Sequence, residues 1–190
     1  VTVDNNIYLK SGIFDPLGAG QKLPSELTTD IETGYFLVQF NPDENVETAK
    51  ALLEKAEIID FVPQNTLVLK TDLTKDEIKK FSFVRFVDVF QPAYKLSPEL
   101  RSYYDAGKLN DEKIKFDLFV TVFANGNLDE IEKQIILLGD FNLEKSGDSI
   151  VIFNFPLSKL LDLIKIKDVL YVEIKFPEEL MNAKAGEIIN

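Results

Sequence analysis

The stretch FVRFVDVFQPAYKL, Phe83 to Leu96, combines β-branched and aromatic residues and contains a proline at Pro92. A similar run, DVLYVEIKFP, spans Asp168 to Pro177 near the end of the chain. Placing Val84 on Val169 aligns valine with valine, aromatic with aromatic, acid with acid and proline with proline. Because β-branched and aromatic residues are enriched in strands, the two runs predict one strand that occurs twice, each time closing a structural unit.

The segments upstream of these runs also match in pairs, as an internal repeat requires. YFLVQF (35–40) matches LFVTVF (118–123), and each of these strand-like runs is followed by a polar turn. The next segments carry apolar residues at helical spacing and predict two matching amphipathic helices. Those apolar residues are Val46, Ala49, Leu53 and Ala56 in the first copy and Leu128, Ile131, Ile135 and Leu138 in the second.

A hairpin and a second helix complete each copy. TLVLK (66–70) matches SIVIF (149–153), and each is preceded by a short apolar segment and a turn, PQN or SGD, as in a β-hairpin. LTKDEIKKF and PLSKLLDLIKI then predict second helices, with Thr74 or Ser158 near the cap. Each copy therefore predicts the order β-α-β-β-α-β, the ferredoxin-like arrangement, with two helices on one face of a four-stranded antiparallel sheet.

The predicted fold class is α+β, with two tandem ferredoxin-like units and an irregular N-terminal extension. The predicted divisions are the extension 1–34, the first unit 35–92, a connector 93–113, the second unit 114–181 and a final segment 182–190.

The second face of each predicted sheet, away from the helices, is also apolar. In the closing strands, apolar residues occupy both sides: Val87, Val89, Val172 and Ile174 on one, and Val84, Phe86, Phe90, Val169 and Tyr171 on the other. Both faces therefore require cover. An exposed apolar face on a small domain marks a partner surface, and the alternative is that the two units cover each other.

Composition excludes several classes of function. The formal net charge of −11 argues against nucleic acid, which is bound through lysine and arginine, and disfavours anionic membranes. Histidine and cysteine are absent, which removes the commonest general base, the Ser-His-Asp arrangement and all thiol chemistry. We therefore expect no metal, no cofactor and no enzymatic activity.

Membrane and targeting signals are not evident. No apolar run approaches the roughly 20 residues of a membrane-spanning helix, and the N-terminal residues lack the layout of a signal peptide. Any signal peptide is expected to have been removed already or never to have existed.

The glycines at Gly18 and Gly20 could belong to a phosphate-binding loop. Such a loop requires a strand before it and a helix N-terminus after it. Asp15-Pro16 and Pro24 favour an irregular linker instead.

GYFLVQF (34–40), VPQNTLVLK (62–70) and FVRFVDVFQPAYKLSPEL (83–100) resemble the pro-region of secreted subtilisin-like serine proteases, particularly the oxidation-resistant alkaline protease branch. IYLKSGIFDPL (7–17) is similar to the start of the same pro-regions, so the resemblance covers nearly the whole chain. It implies a secreted folding chaperone and temporary inhibitor, whose partner is the cognate subtilisin-like catalytic domain in cis or in trans.

In that family the open sheet face packs on the protease and the C-terminal tail lies in the substrate cleft. The resemblance therefore implies that Val169, Tyr171 and Glu173 face the protease. In that family the scissile bond follows the aromatic residue of the closing strand at a set distance, which implies Met181 when counted from Tyr171, and NAKAGEII from Asn182 resembles the mature N-terminus of the related proteases. We expect cleavage between Met181 and Asn182. The residues expected in the cleft are Glu178, Glu179, Leu180 and Met181.

Two other functions fit the same predicted topology. A tandem regulatory module of the amino-acid-sensing type would bind its ligand in the loops NPDENVE (41–47) and ANGNLDE (124–130), which offer no basic residue for a ligand carboxylate. An extracellular adhesion or stalk domain is also compatible with the sequence.

Overall fold

The computed structural model describes residues 4–18, 22–44 and 47–176. Within them, ten strands form three antiparallel sheets, and there are five α-helices. The α+β class is confirmed. The chain divides into two units between Lys95 and Leu96, inside the predicted connector.

The first unit begins with a two-stranded hairpin and continues into a four-stranded sheet. Its elements are β1 (Ile7–Leu9), β2 (Gly12–Phe14), β3 (Tyr35–Phe40), α1 (Lys50–Leu53), β4 (Ala56–Val62), β5 (Thr66–Thr71), α2 (Lys75–Lys79) and β6 (Val84–Val89). The strand order of the main sheet is β4-β5-β3-β6, and all neighbours are antiparallel.

The second unit begins with a helix and continues into another four-stranded sheet. Its elements are α3 (Pro98–Asp105), β7 (Lys115–Val122), α4 (Leu128–Leu138), β8 (Leu143–Ser146), β9 (Ser149–Pro156), α5 (Leu160–Ile164) and β10 (Val169–Ile174). The strand order is β10-β7-β9-β8. In both main sheets the last strand lies beside the first, followed by the third and then the second.

Short 3-10 turns lie at Ser25–Leu27, Pro92–Lys95 and Leu157–Lys159. No helix in the described part of the chain is both long enough and apolar enough to cross a membrane.

The core of the first unit lies between its sheet and its helices. Alternate residues of β3, namely Phe36, Val38 and Phe40, pack there with Leu52 of α1 and Ile78 of α2. This is the period-two pattern of a strand with one face toward a helical layer.

The second helices of the two repeats, α2 and α5, begin differently. Thr74 caps α2, as predicted, and it also forms a capping box with Glu77. Ser158 lies instead within a 3-10 turn, and α5 begins after Lys159 without a side-chain cap.

The first helices differ in length, although matching helices were predicted. Asn127 caps α4 by accepting from two backbone N–H groups, whereas α1 begins after Ala49, whose side chain cannot cap. α1 ends at Leu53, and Ala56, predicted to be helical, is the first residue of β4. Val46 lies outside the described residues.

The closing strand of the first unit contains a bulge. Phe86 of β6 pairs with Gln39, and Val84 pairs with the next residue, Phe40. Arg85 is therefore the extra residue on β6. A bulge of this kind redirects side chains and increases the local twist.

The closing strand of the second unit has its bulge at the same place. Tyr171 of β10 pairs with Thr121, and Val169 pairs with Val122, which leaves Leu170 as the extra residue. Because Thr121 and Val122 point to opposite faces, Tyr171 and Val169 do so as well.

The first strands of the two units match one residue away from the sequence alignment. Val38 pairs with Val87, and Val120 pairs with Val172. Since Val87 corresponds to Val172, Val38 corresponds to Val120 and not to Thr121. The predicted match of 35–40 with 118–123 was therefore wrong by one residue, and such a slip exchanges the two faces of a strand.

Candidate functional site

Each main sheet has a second face formed by the residues that alternate with its core positions. We call these surfaces face 1 and face 2 and define them by cross-strand pairing. Face 1 comprises Leu37, Gln39, Thr66, Val68, Phe86 and Asp88. Face 2 comprises Phe119, Thr121, Ser149, Val151, Tyr171 and Glu173.

The two faces carry side chains of the same kind at four of the six positions. The pairs are Leu37 with Phe119, Gln39 with Thr121, Thr66 with Ser149, Val68 with Val151, Phe86 with Tyr171 and Asp88 with Glu173. The repeat therefore preserves a surface as well as a core, with an aromatic and an acidic residue two positions apart on the closing strand.

The chain's own N-terminal segment contacts face 1. We call residues 4–18 and 22–32 the extension. The side-chain amide of Gln39 donates to the Asn5 carbonyl at 3.2 Å and to the Gln64 carbonyl at 3.2 Å. Gln39 is only 2% exposed, so these bonds satisfy a buried amide on the sheet face.

Arg85, the bulge residue, is the charged centre of this contact. Its Nη1 donates to the Gln39 side chain and to the Asn5 carbonyl, and its Nη2 donates to the Asp15 carboxylate at 3.0 Å. The Arg85 side chain is 13% exposed. The Arg85 guanidinium, followed by the Leu17 backbone N–H, holds the pKa of the Asp15 carboxyl below its usual range.

Gln91 forms a second attachment between the sheet and the extension. Its Nε2 donates to the Thr29 carbonyl at 3.1 Å, and its Oε1 accepts from the Thr29 backbone N–H at 2.7 Å. The same Nε2 donates to Asp88, which also pairs with the Lys75 ammonium at 2.6 Å. Gln91 is buried. Its side-chain amide both donates to and accepts from the Thr29 backbone, as the backbone of a neighbouring strand does.

An aromatic contact completes the attachment. Phe14 of β2 stacks on Tyr94, with ring centroids 5.4 Å apart and planes 16° apart. Burial, followed by the charge of Asp88, raises the pKa of the Tyr94 hydroxyl. A cleft of about 420 Å³ lies beside this stack and is lined by Phe14, Phe86, Asp88 and Tyr94, among others.

Face 2 has a different environment. Ser149, Val151 and Tyr171 are buried, Phe119 is half-buried and Glu173 is exposed. Burial, with additional contributions from two nearby carboxylates, raises the pKa of Tyr171 to about 12.

The start of the second unit lies against its closing strand. Leu96 forms a parallel bridge with Val172, and the Ser97 N–H donates to the Val172 carbonyl at 3.0 Å. Tyr103 of α3 packs edge-on against Phe116, with centroids 5.1 Å apart. The exposed part of face 2 is thus toward Glu173 and Phe119.

The residues predicted to face a protease divide between two surfaces. Tyr171 and Glu173 lie on face 2, as their spacing suggests. Val169 is fully buried opposite Val122, on the other side of the sheet, because the bulge at Leu170 breaks the alternation.

The predicted cleft-binding tail and processing bond lie outside the described residues. These positions are Glu178, Glu179, Leu180, Met181 and Asn182. Their roles stay predictions.

Two further candidate ligand loops are only partly described. After β2, the next described element is the 3-10 turn Ser25–Leu27 and not an α-helix, and Ala19 and Gly20 lie outside the described residues. In the loop before α4, the Asn127 side chain is engaged in capping. Within residues 4–18, 22–44 and 47–176, no cluster of three or more acidic side chains is placed to hold a metal ion.

Sequence reasoning did not identify Gln39, Arg85 and Gln91 as functional residues. The signal was present, because each is a polar residue inside or beside an otherwise apolar strand. A buried polar group requires a partner, so such a residue indicates that another segment reaches the sheet at that point.

The chain has no significant match among protein families, curated proteins or solved structures. Its function is therefore argued from the geometry of the two faces and from the resemblance of its sequence.

Proposed function

We propose that the chain is the pro-region of a subtilisin-like serine protease and that its two units are ferredoxin-like domains. In this role it is not itself an enzyme. The strand order, with the last strand beside the first in both sheets, supports the ferredoxin-like topology. The resemblance of residues 34–40, 62–70 and 83–100 to subtilisin pro-regions supports the family.

One observation carries the proposal. The closing strand β10 bears Tyr171 and Glu173 on face 2 and is followed in the sequence by the predicted tail. A protease that packs on the exposed part of face 2 would receive the residues after Phe176 beside its own surface. One strand thus serves both docking and delivery of the tail.

Inhibition follows from a tail that binds as substrate does. With Met181 in the specificity pocket, cleavage before Asn182 leaves the new C-terminus in the cleft, held by the docked sheet. Tethering makes the second contact intramolecular and raises the effective concentration of the tail. A tail held only in this way remains open to slow digestion.

Assistance of folding follows from the same contact. A partner that binds only the native protease stabilises the native state by mass action. The pro-region would therefore favour the folded protease as long as face 2 is docked.

The test is inhibition of the cognate subtilisin-like domain by the purified chain in trans. We expect the full chain to inhibit and a chain truncated after Phe176 to inhibit orders of magnitude less, with an unchanged circular dichroism spectrum. Equal inhibition by the truncated chain would refute the cleft-bound tail. Absence of inhibition and of binding by the full chain would refute the proposed function, and an aspartate-centred strand motif encoded downstream of Asn190 would support it.

A further inference from the structure

We infer that the extension is a built-in occupant of face 1, so that an external protein docks instead on the exposed part of face 2, at Phe119 and Glu173. The first half of this inference stands on the contacts within the first unit. The second half rests on the proposed function, because it assigns the docking of the protease to one of two similar faces.

The extension is held by side chains that the second unit lacks. In the first unit the anchors are Gln39, Arg85 and Gln91. By the strand pairing and the repeat alignment, their counterparts are Thr121, Leu170 and Phe176.

Each replacement removes an attachment point. Leu170 has no charge with which to bind a carboxylate such as that of Asp15. Phe176, which is 50% exposed, has no amide to bind a backbone as Gln91 binds Thr29. The two faces therefore share a similar surface, but only face 1 has the groups that hold the extension.

An external protein could reach face 1 only by replacing the extension. It would have to supply acceptors for the Arg85 guanidinium and both a donor and an acceptor for Gln91. A buried charge or amide left without a partner is strongly unfavourable. Removal of the extension would also expose Ile7 and Leu27, which are fully buried. The part of face 1 around Gln39, Arg85 and Gln91 is thus occupied by the chain's own extension, beside the cleft lined by Phe86 and Asp88.

The first experiment makes the anchors of unit 1 resemble those of unit 2. In the full chain, Arg85→Leu with Gln91→Phe should release the extension, seen as at least about tenfold faster amide exchange in the residues around Ile7 and Thr29. Arg101→Leu is the matched control, because it removes an arginine whose ion pair with Asp105 lies on the surface of α3. The control should leave exchange in the extension unchanged.

A second variant tests the same contact without altering the sheet. Asp15→Asn removes the carboxylate from the extension side and should accelerate exchange around Ile7 by a smaller factor than the double variant. Protection of the extension that equals wild type in both variants would overturn its role as an anchored occupant.

The second experiment distinguishes the two faces by their half-buried aromatic residues. Phe119→Ala on face 2 should weaken inhibition of the cognate protease by about tenfold or more, as loss of a central aromatic contact does. Phe86→Ala on face 1 should leave inhibition within about twofold of wild type. The thermal midpoint of each variant is measured first, and inhibition is compared at temperatures where both are folded.

The outcomes separate the two claims. Equal weakening by Phe86→Ala and Phe119→Ala would overturn the assignment of docking to face 2 alone. If neither variant alters inhibition, docking through the sheet is refuted, while the exchange data still decide whether the extension is anchored to face 1.

Discussion

Face 1 and face 2 have nearly the same composition but different neighbours. At four of the six defined positions the two units carry side chains of the same kind, and the exceptions are Leu37 against Phe119 and Gln39 against Thr121. The decisive difference lies at the edges, where Arg85 and Gln91 of the first unit correspond to Leu170 and Phe176. One copy of the repeated sheet surface therefore binds the chain's own extension, through side chains that the other copy lacks.

The chemistry of the anchors explains why the extension selects face 1. The burial of apolar side chains such as Ile7 and Leu27 is non-directional and does not by itself select one register. The bonds of Arg85 to Asp15 and of Gln91 to Thr29 require one orientation and one register. Polar anchors therefore supply the specificity, and buried apolar side chains supply much of the free energy.

The largest expected effect comes from removing the extension altogether. Deleting residues 1–32 returns face 1 to water and removes the buried side chains Ile7 and Leu27. Each such side chain contributes about 1.5–3 kcal/mol, so the free energy of unfolding of the first unit should fall by roughly 3–6 kcal/mol. Hydrogen exchange of β5, compared with exchange of β9 as the internal reference, measures the loss.

Truncation after Phe176 is the matched control for that deletion. It shortens the chain at the other end and should leave exchange in both β5 and β9 unchanged. If the deletion of 1–32 accelerated exchange in β5 no more than this truncation does, face 1 would not depend on the extension.

A smaller effect is expected from removing a helix cap. Removing one cap in each unit tests whether a local change destabilises only the unit that contains it. Thr74→Ala removes the capping box of α2, and Asn127→Ala removes the cap of α4. Each should lower the free energy of unfolding by about 1 kcal/mol. Exchange should increase in the helix concerned, and Ser158→Ala, which removes no helix cap, is the control.

The caps also show how much of the fold could be predicted. Hydrophobic periodicity and turn residues were sufficient to predict the four strands of each main sheet, in their order along the chain, and the helix cap at Thr74. They were not sufficient for the length of α1, because the apolar spacing at Ala49, Leu53 and Ala56 also fits a short turn followed by a strand. Without a side-chain cap, the local preference for a longer helix is weak.

The candidate site was less predictable for two physical reasons. The bulges at Arg85 and Leu170 interrupt the alternation of side chains, so counting along the strand placed Val169 on the wrong side. The attachment of the extension depends on contacts between residues far apart in the chain, such as Asp15 with Arg85. Local propensity carries no information about such pairs, although a charged residue in an apolar strand signals that one exists.

Acid should loosen the extension. Arg85 lowers the pKa of Asp15 in the folded chain. The stability contributed by the Asp15–Arg85 ion pair is therefore present above the ordinary carboxyl pKa of 3.8 and is lost as the pH falls through the lower pKa of the folded chain. Limited digestion of the extension by pepsin, at pH 4.5 and pH 2.5, should show the loss of protection.

Asp15→Asn provides the control for the acid experiment. This variant cannot form the ion pair at either pH, so the change in its protection between the two pH values should be smaller than in wild type. An equal change in the two proteins would assign the effect to other carboxylates, such as Asp129 or Glu77, whose pKa values are also lowered.

The smallest expected effect is that of pH on stability between pH 6 and pH 8, where we expect almost no change. The chain has no histidine, the only side chain whose ordinary pKa lies in that interval. The pKa values of the Asp15 and Glu77 carboxyls are lowered, away from neutrality. Burial raises the pKa of Tyr171 to about 12. The stabilising contribution of neutral Tyr171 is therefore complete below its ordinary pKa of 10.0 and is lost only as the pH rises toward the folded pKa.

Thermal unfolding of the free chain at pH 6, 7 and 8 should give nearly constant midpoints for both units. A strong shift of a midpoint would require a buried carboxylate with a raised pKa. Release of a bound protease at neutral pH would then proceed by digestion of the tail and not by titration of either face.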